Sequence, residues 1–386
     1  MANTLTNLTP DLYAALDRVS RELVGLVPSV SRDSSAERAA KDQTVRSFVA
    51  PASTASDITP GQLPADNGDQ SIGNKTISIS KSRYVPVRWN GEEQRGMNTG
   101  PGYNMILQDQ FAQAIRTLVN EMEVDLAGEY AKASVGVESA GTTLFDAANY
   151  KDLANVAKEL NINGAPMENR SVVLSNAAAA AFRGNATYTS ANSAGEVAML
   201  RQGVLLDQFG MMIRESNQIQ NATAGTASSA TSDNAGYSIG DTVITLASAG
   251  TGTILAGDII SFAGDASGAE YVVESGDADV SGGGTITLAA PGLRGALAAS
   301  TQAITVVATG ERNMAFSQNA IHLVTRAPAR PLEGDSAEDV MIVQDPRSGL
   351  AFEIAMYKEY RQVKFEVAAA WGFEVIKPEH LVLLYN

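Results

Sequence analysis

Residues 217–310 read NQIQNATAGTASSATSDNAGYSIGDTVITLASAGTGTILAGDIISFAGDASGAEYVVESGDADVSGGGTITLAAPGLRGALAASTQAITVVATG. Short Val/Ile/Thr runs alternate with Gly, Ala, Ser and Asp, which predicts strands at Asp241–Leu246, Gly257–Phe262, Glu270–Val273, Thr285–Leu288 and Ala303–Val307. The stretch holds 15 of the 34 glycines, and one basic residue (Arg294) against eight acidic ones. Five or six short strands with Gly-rich turns suggest a small barrel or sandwich set into a mixed helix-and-strand chain. No clustered reactive side chains accompany them, so the pattern points to a surface and an assembly.

Composition narrows the classes. At 386 residues the chain is long enough for two or three domains, and 44% apolar content suffices for a sizeable core. The absence of cysteine excludes disulfide scaffolds, thiolate metal sites and cysteine nucleophiles. Two histidines leave little for imidazole chemistry. A net charge of −15 disfavours broad binding to nucleic acid or an anionic membrane, because phosphate contacts come mainly from Lys and Arg. The N-terminus lacks a basic segment followed by an apolar core, so no signal peptide is expected, and no apolar run is long enough to span a membrane.

Outward from the central stretch, residues 9–27 carry a helical stripe of Leu12, Leu16, Val19, Leu23 and Leu26, with Thr9 as cap and Pro10 at the first position. Such a stripe on a detached arm needs a partner to cover it, so Leu12, Leu16 and Val19 are candidate intersubunit contacts. Residues 51–78, rich in Pro, Gly, Ser and Asp, read as a long protruding loop, with a β-hairpin at its base where alternation returns at Thr76–Val87. A loop of this length makes most sense lying on a neighbouring molecule. Arg83 and Arg88 flank Tyr84-Val85-Pro86-Val87, and salt bridges to a neighbour's acid are the better reading than a nucleic-acid patch.

The strongest helical signal is 105–133, where Phe111, Ile115, Leu118, Met122, Leu126 and Tyr130 recur every three or four residues, with Asn104 as a candidate cap. Such a helix is about 43 Å long. Glu121, Glu123, Asp125 and Glu129 read as a solvated face between its core positions. Further elements are helices at Tyr150–Leu160 and Ala177–Phe182, and strands at Arg170–Leu174, Val204–Ile213, Ala320–Thr325, Asp339–Val343, Leu350–Tyr357, Tyr360–Ala370 and Leu381–Tyr385.

Chemistry is sparse. No phosphate-cradling glycine loop with its Lys and Ser/Thr is present, and no nucleophile elbow. His322, between Ile321 and Leu323, reads as structural, and His380 as a surface or interface residue. Asp277, Asp279 and Ser281 imitate the start of a calcium loop, but Leu288 stands where the bidentate Glu belongs, which leaves an acidic turn. No catalytic residue, cofactor or metal is expected.

Three local patterns bring in a resemblance. Gly257-Asp258-Ile259-Ile260-Ser261-Phe262-Ala263-Gly264 resembles a GDxISFAG segment, Asn319–Val324 a DDAIRIV-type strand, and Trp371–Glu379 a WYGVNATRPE ending. These are features of tailed-bacteriophage major capsid proteins of the HK97-like fold, and more narrowly of the P22-like coat proteins of short-tailed enterobacterial phages. The resemblance implies an α+β capsid fold with an N-terminal arm (1–50), an extended E-loop (51–100), a peripheral domain with a spine helix (101–139) and a first part of an axial domain (140–216). It further implies an inserted β-barrel domain (217–310), the return of the axial domain (311–345), and a peripheral β element with the C-terminus (346–386).

It implies as function a non-enzymatic coat subunit. Hexamers and pentamers of this homo-oligomer would form an icosahedral shell in the virion, assembled non-covalently in the host bacterial cytoplasm as a precursor that expands on maturation. Scaffolding protein and portal would be partners, with packaged double-stranded DNA held inside without sequence-specific binding and no membrane involved. The alternative from another class is a secreted or surface β-rich adhesive protein.

Overall fold

The computed structural model describes residues 25–49, 73–97, 102–141, 143–146, 151–185, 207–344 and 350–386, with a few isolated positions between 55 and 61. The expected N-terminal helix at 9–27 lies outside these residues except for its end. Residues 25–30 there form a turn.

The apolar spacing from Phe111 to Leu126 produces a helix, Gly102–Gly128, that a 3₁₀ turn, Glu129–Lys132, extends. Phe111, Ile115, Leu118, Met122 and Leu126 are all buried along one side. Asn104 is not a cap, since the helix begins two residues earlier. The stripe packs on a six-stranded sheet ordered Ser31–Ala39, Ile321–Pro328, Gln362–Val375, Ala351–Glu359, Ala337–Gln344, with Lys81–Asn90 on the opposite edge of Gln362–Val375. Phe111 meets Phe365 edge to face, ring centroids 5.5 Å apart. Ala351–Glu359 and Gln362–Val375 are the expected long antiparallel pair, turned through Tyr360-Arg361.

The alternation at Thr76–Val87 does not make one hairpin strand. It breaks at Ile79–Ser80, where buried Ile79 exchanges backbone hydrogen bonds with Asp42 and Gln43. Gly73–Ser78 therefore pairs with Thr44–Val49 as a two-stranded ribbon, and Lys81–Asn90 joins the main sheet.

A second sheet runs Ile304–Val306, Ile259–Phe262, Glu270–Ser275, Val135–Glu138, Leu381–Tyr385, Asn313–Ser317, Arg170–Leu174, Met211–Glu215. Helices Lys151–Ile162 and Asn176–Gly184 contribute to a separate core that also takes in this sheet, with Leu153, Val156, Leu160 and Phe182 fully buried. The strand expected at Val204–Ile213 starts only at Met211, because Phe209 and Gly210 turn the chain with positive φ; residues 204–206 lie outside the described residues. Ile321–Pro328 and Ala337–Gln344, which the sequence reading groups with 140–216, pair with 351–375, whereas Leu381–Tyr385 lies between Val135–Glu138 and Asn313–Ser317.

All five strands expected within 217–310 form. Val243–Leu246 pairs with Gly284–Leu288, which pairs with Glu270–Ser275, and Ile259–Phe262 lies between Glu270–Ser275 and Ile304–Val306. Thr231 and Ser232 bridge Ala303 to Leu246, so the strands curl into a nearly closed barrel around Ile244, Ile260, Tyr271, Val273 and Ile286. The barrel does not hang free. Glu270 and Tyr271 pair with Gly136 and Val135, making its sheet continuous with that of the body. Gly257 permits the close seat: its φ is +87°, and a Cβ there would stand 2.5 Å from the ring of Tyr130 at the end of the long helix.

Gly257→Ala is expected to destabilise the chain by about 1 kcal/mol or more, because it combines strain at positive φ with a clash. Urea denaturation checks this; an unchanged midpoint would show that the seat against Tyr130 is not tight.

Candidate assembly interface

Of the residues proposed from sequence as contacts, Leu12, Leu16 and Val19 lie outside the described residues. Arg83 and Arg88 both stand on Lys81–Asn90, but five positions apart on a strand means opposite faces. Arg83 Nε lies 3.8 Å from Glu121 on the long helix of its own chain, and both side chains are well exposed. Arg88 is exposed on the other face, opposite Lys364 in the pairing register. The structure does not bring the two arginines together.

The face bearing Arg88 is polar and aromatic. Lys364 Nζ sits 5.4 Å from the ring of Tyr84 and 5.8 Å from that of Tyr357, and it also pairs with Glu366. Tyr357 donates to Asp335 at 2.8 Å; burial, helped by that bond, pushes its hydroxyl up to about 12. At one end of this sheet Leu332 is fully exposed and Tyr360 is 88% exposed. Beside the helix Gly91–Met97 runs an open groove lined by Trp89, Glu92, Lys358, Arg361 and Val363. Exposed aromatic and Arg side chains such as these are enriched at contact surfaces.

Buried charges knit the body. The four helix acids do not form one solvated face, since only Glu121 is well exposed. Asp125 accepts from Lys81 Nζ at 2.6 Å and Trp371 Nε1 at 2.9 Å, joining helix to sheet. Glu129 pairs with Lys132, which also reaches Glu374 at 3.0 Å. Glu123 is 1% exposed and accepts the backbone N–H groups of Gly25, Leu26 and Val27 at 2.8, 2.7 and 2.9 Å. Burial pushes its carboxyl above the ordinary range, against the pull of those bonds. Its spacing held the clue: it stands four residues after Val119 and three before Leu126, within the apolar stripe.

The barrel is tied to the body by side chains as well. Arg294 pairs with Glu159 and donates to Asn163 at 2.8 Å, and Tyr385 donates to Glu270 at 2.5 Å. Asp277 and Asp279 use their oxygens on the N–H groups of Asp279 and Ser281, an acidic turn. Among the described residues no group of three His, Asp or Glu could hold a metal, and no helix is long and apolar enough to cross a membrane. His380 is buried rather than a surface residue, held in the turn Pro378–His380 that leads into the last strand.

No known family and no curated protein matches the sequence. Among solved structures, the chain is similar to the capsid structure of the cyanophage P-SCSP1u, with 13% identity and a TM-score of 0.50 over 92% of this chain and 86% of that one. It also aligns with Mycobacterium phage Che8 (15% identity, TM-score 0.46, 89% and 85% covered) and with a virus-like particle from Pyrococcus furiosus (11%, 0.46, 98% and 99%). The cyanophage likeness carries the assignment: the chain has the general HK97-like fold of tailed-phage major capsid proteins, with an inserted β-barrel. It does not single out the coat proteins of the short-tailed enterobacterial phages.

Burial holds His322 and His380 below the ordinary histidine range. Below about pH 6.5 the unfolded chain therefore binds more protons than the folded one, and these two groups lower stability as pH falls toward their folded values. His380→Gln is expected to lessen the loss in denaturation midpoint between about pH 7.5 and about pH 5. Equal losses in variant and wild type would show that His380 titrates normally.

Proposed function

We propose that this chain is a major capsid protein whose copies self-assemble, without covalent links, into the icosahedral shell of a tailed phage. The carrying observation is the likeness to the cyanophage capsid structure along 92% of the chain. In this reading residues 1–50 are the arm, 51–100 the loop that reaches over a neighbour, and Gly102–Gly128 the spine helix of the peripheral domain. Residues 140–216 build the axial domain with 311–317 and 381–385, since 321–344 pair with the sheet beneath the long helix, and 217–310 are the insertion. The short-tailed enterobacterial coat proteins remain the narrower relatives suggested by the segment 257–264.

Hexamers and pentamers form by heterologous contacts that close into rings, and rings into a shell. Each contact can be weak, since arm, loop and sheet end engage together. Exposed Tyr84, Leu332, Tyr360 and Arg88 supply surfaces of the right kind. The shell first forms with a scaffolding protein and portal in the bacterial cytoplasm and then expands by rigid-body rearrangement as double-stranded DNA fills it. The charge of −15 limits adhesion to that DNA.

Negative-stain images of the chain expressed in bacteria, alone and with a scaffolding protein from the same genome, are expected to show closed polyhedral shells. Fibres, or only monomers under both conditions, would sink the reading.

A further inference from the structure

Two residues, Tyr360 and Arg361, turn the chain between Ala351–Glu359 and Gln362–Val375. A hairpin this tight ordinarily places Gly or Asn where φ must be positive. Here Arg361 takes φ +58°, a conformation that is costly for a residue with a Cβ. Strain of this kind persists where the side chains serve a purpose beyond the fold. Tyr360 is 88% exposed, and the Arg361 guanidinium lies 5.7 Å from its ring centroid, so the tip presents an aromatic ring backed by a cation. Tyr and Arg are also side chains on which binding energy concentrates at protein contacts.

The groove beside the tip has a complementary make-up. Its volume is about 680 Å³, and its large apolar side chains are Trp89 and Val363, paired directly across the strands. Trp89 is held in place by donating Nε1 to Gln110 at 2.8 Å. Gly91 donates its N–H to the Arg361 carbonyl at 3.1 Å, which ties the start of the helix Gly91–Met97 to the hairpin tip. Glu92, in the first turn of that helix, and Arg361 both line the groove. Both are exposed, and among the described residues neither forms an ion pair.

We propose that this end of the sheet is self-complementary: Tyr360 of one copy seats in the Trp89–Val363 groove of a second copy, with its Arg361 against that copy's Glu92. The inference rests on the shell reading above and names a contact within it. A second copy is the occupant the observations favour, because the two unmatched charges are opposite in sign and every copy carries both. Ring and groove lie at the same end of the sheet, so copies that meet there exchange them reciprocally. The ring leaves water for an apolar seat, and the charge pair at its edge sets the register.

Arg361→Gly relieves the positive φ and removes the cation. The urea midpoint of the unassembled chain is expected to rise while the yield of closed shells falls, opposite signs that a purely structural role for Arg361 would not produce. Tyr360→Ser is expected to lower shell yield at an unchanged midpoint, and Tyr360→Trp to keep it. Arg361→Glu and Glu92→Arg each set like charges together between copies and should lower yield by about tenfold or more. Combining both in one chain should restore it. Co-expressing the two single variants should also restore shells in part, because unlike neighbours then match, whereas a pair formed within one chain could not respond to mixing. Wild-type yields for Arg361→Gly and Tyr360→Ser, or charge variants that neither the combination nor the mixture rescues, would overturn the inference. A wild-type chain that forms no shells under any condition defeats the shell reading instead, and this inference with it.

Discussion

Fourteen residues, Gln362–Val375, hold the body together. One edge pairs with Lys81–Asn90 over ten positions, and the other pairs first with Ala351–Glu359 and then with Ile321–Pro328. Segments up to 290 residues apart in sequence are thereby fixed to one strand, and Phe365 and Trp371 pass the arrangement to the long helix. Lys81 and Trp371 are paired directly across the strands, and both bind Asp125. A single carboxylate thus helps fix the register of these two strands beneath the helix, because a one-residue slip of either would turn its donor to the other face. Pairing so distant is slow to form, because the loops between the partners must close first.

Charges in this body are few but placed where segments join. Glu353, 4% exposed, receives both Arg38 and Arg330, so that the first strand, the connection after Pro328 and the sheet interior share one anion. Asp33, itself exposed, accepts from the buried Arg326 at 2.8 Å and so joins the first strand to its neighbour. Removing one partner of such a set leaves the other charge buried and unpaired, which costs more than the pair contributes. The interior therefore penalises misplacement of its segments more than it rewards correct packing alone.

Periodicity revealed the elements that obey it. The long helix, the barrel strands, Arg170–Leu174 and Leu381–Tyr385 were all legible, since burial on one side writes a period of 3.6 or 2 into the residues. Ser31–Ala39 was not, because SRDSSAERA has no large apolar residue; it becomes a strand by pairing parallel to Ile321–Pro328 and by engaging its charges with Arg326 and Glu353. Asn313–Ser317, buried at every position, has no alternation to read and only one aromatic to suggest it. The candidate interface was less legible still. Arg83 and Arg88 look like a pair in sequence and are separated by the sheet, while Glu123 looked like surface and is the most enclosed acid of the long helix.

The barrel at 217–310 is where the two kinds of information diverge most usefully. Its composition, acidic and rich in glycine, describes an independent module, and its own core of Ile244, Ile260, Val273 and Ile286 fits that description. Its attachments do not. Backbone pairing at Glu270–Tyr271, the Arg294 bonds to Glu159 and Asn163, the Tyr385–Glu270 bond and the Gly257 contact with Tyr130 fall on four separate elements of the body. A module hinged at its two termini alone would swing. One pinned at several further points moves with the body as a unit, so any force on the barrel is delivered to the strand Val135–Glu138 and the helix Lys151–Ile162, not absorbed in a linker.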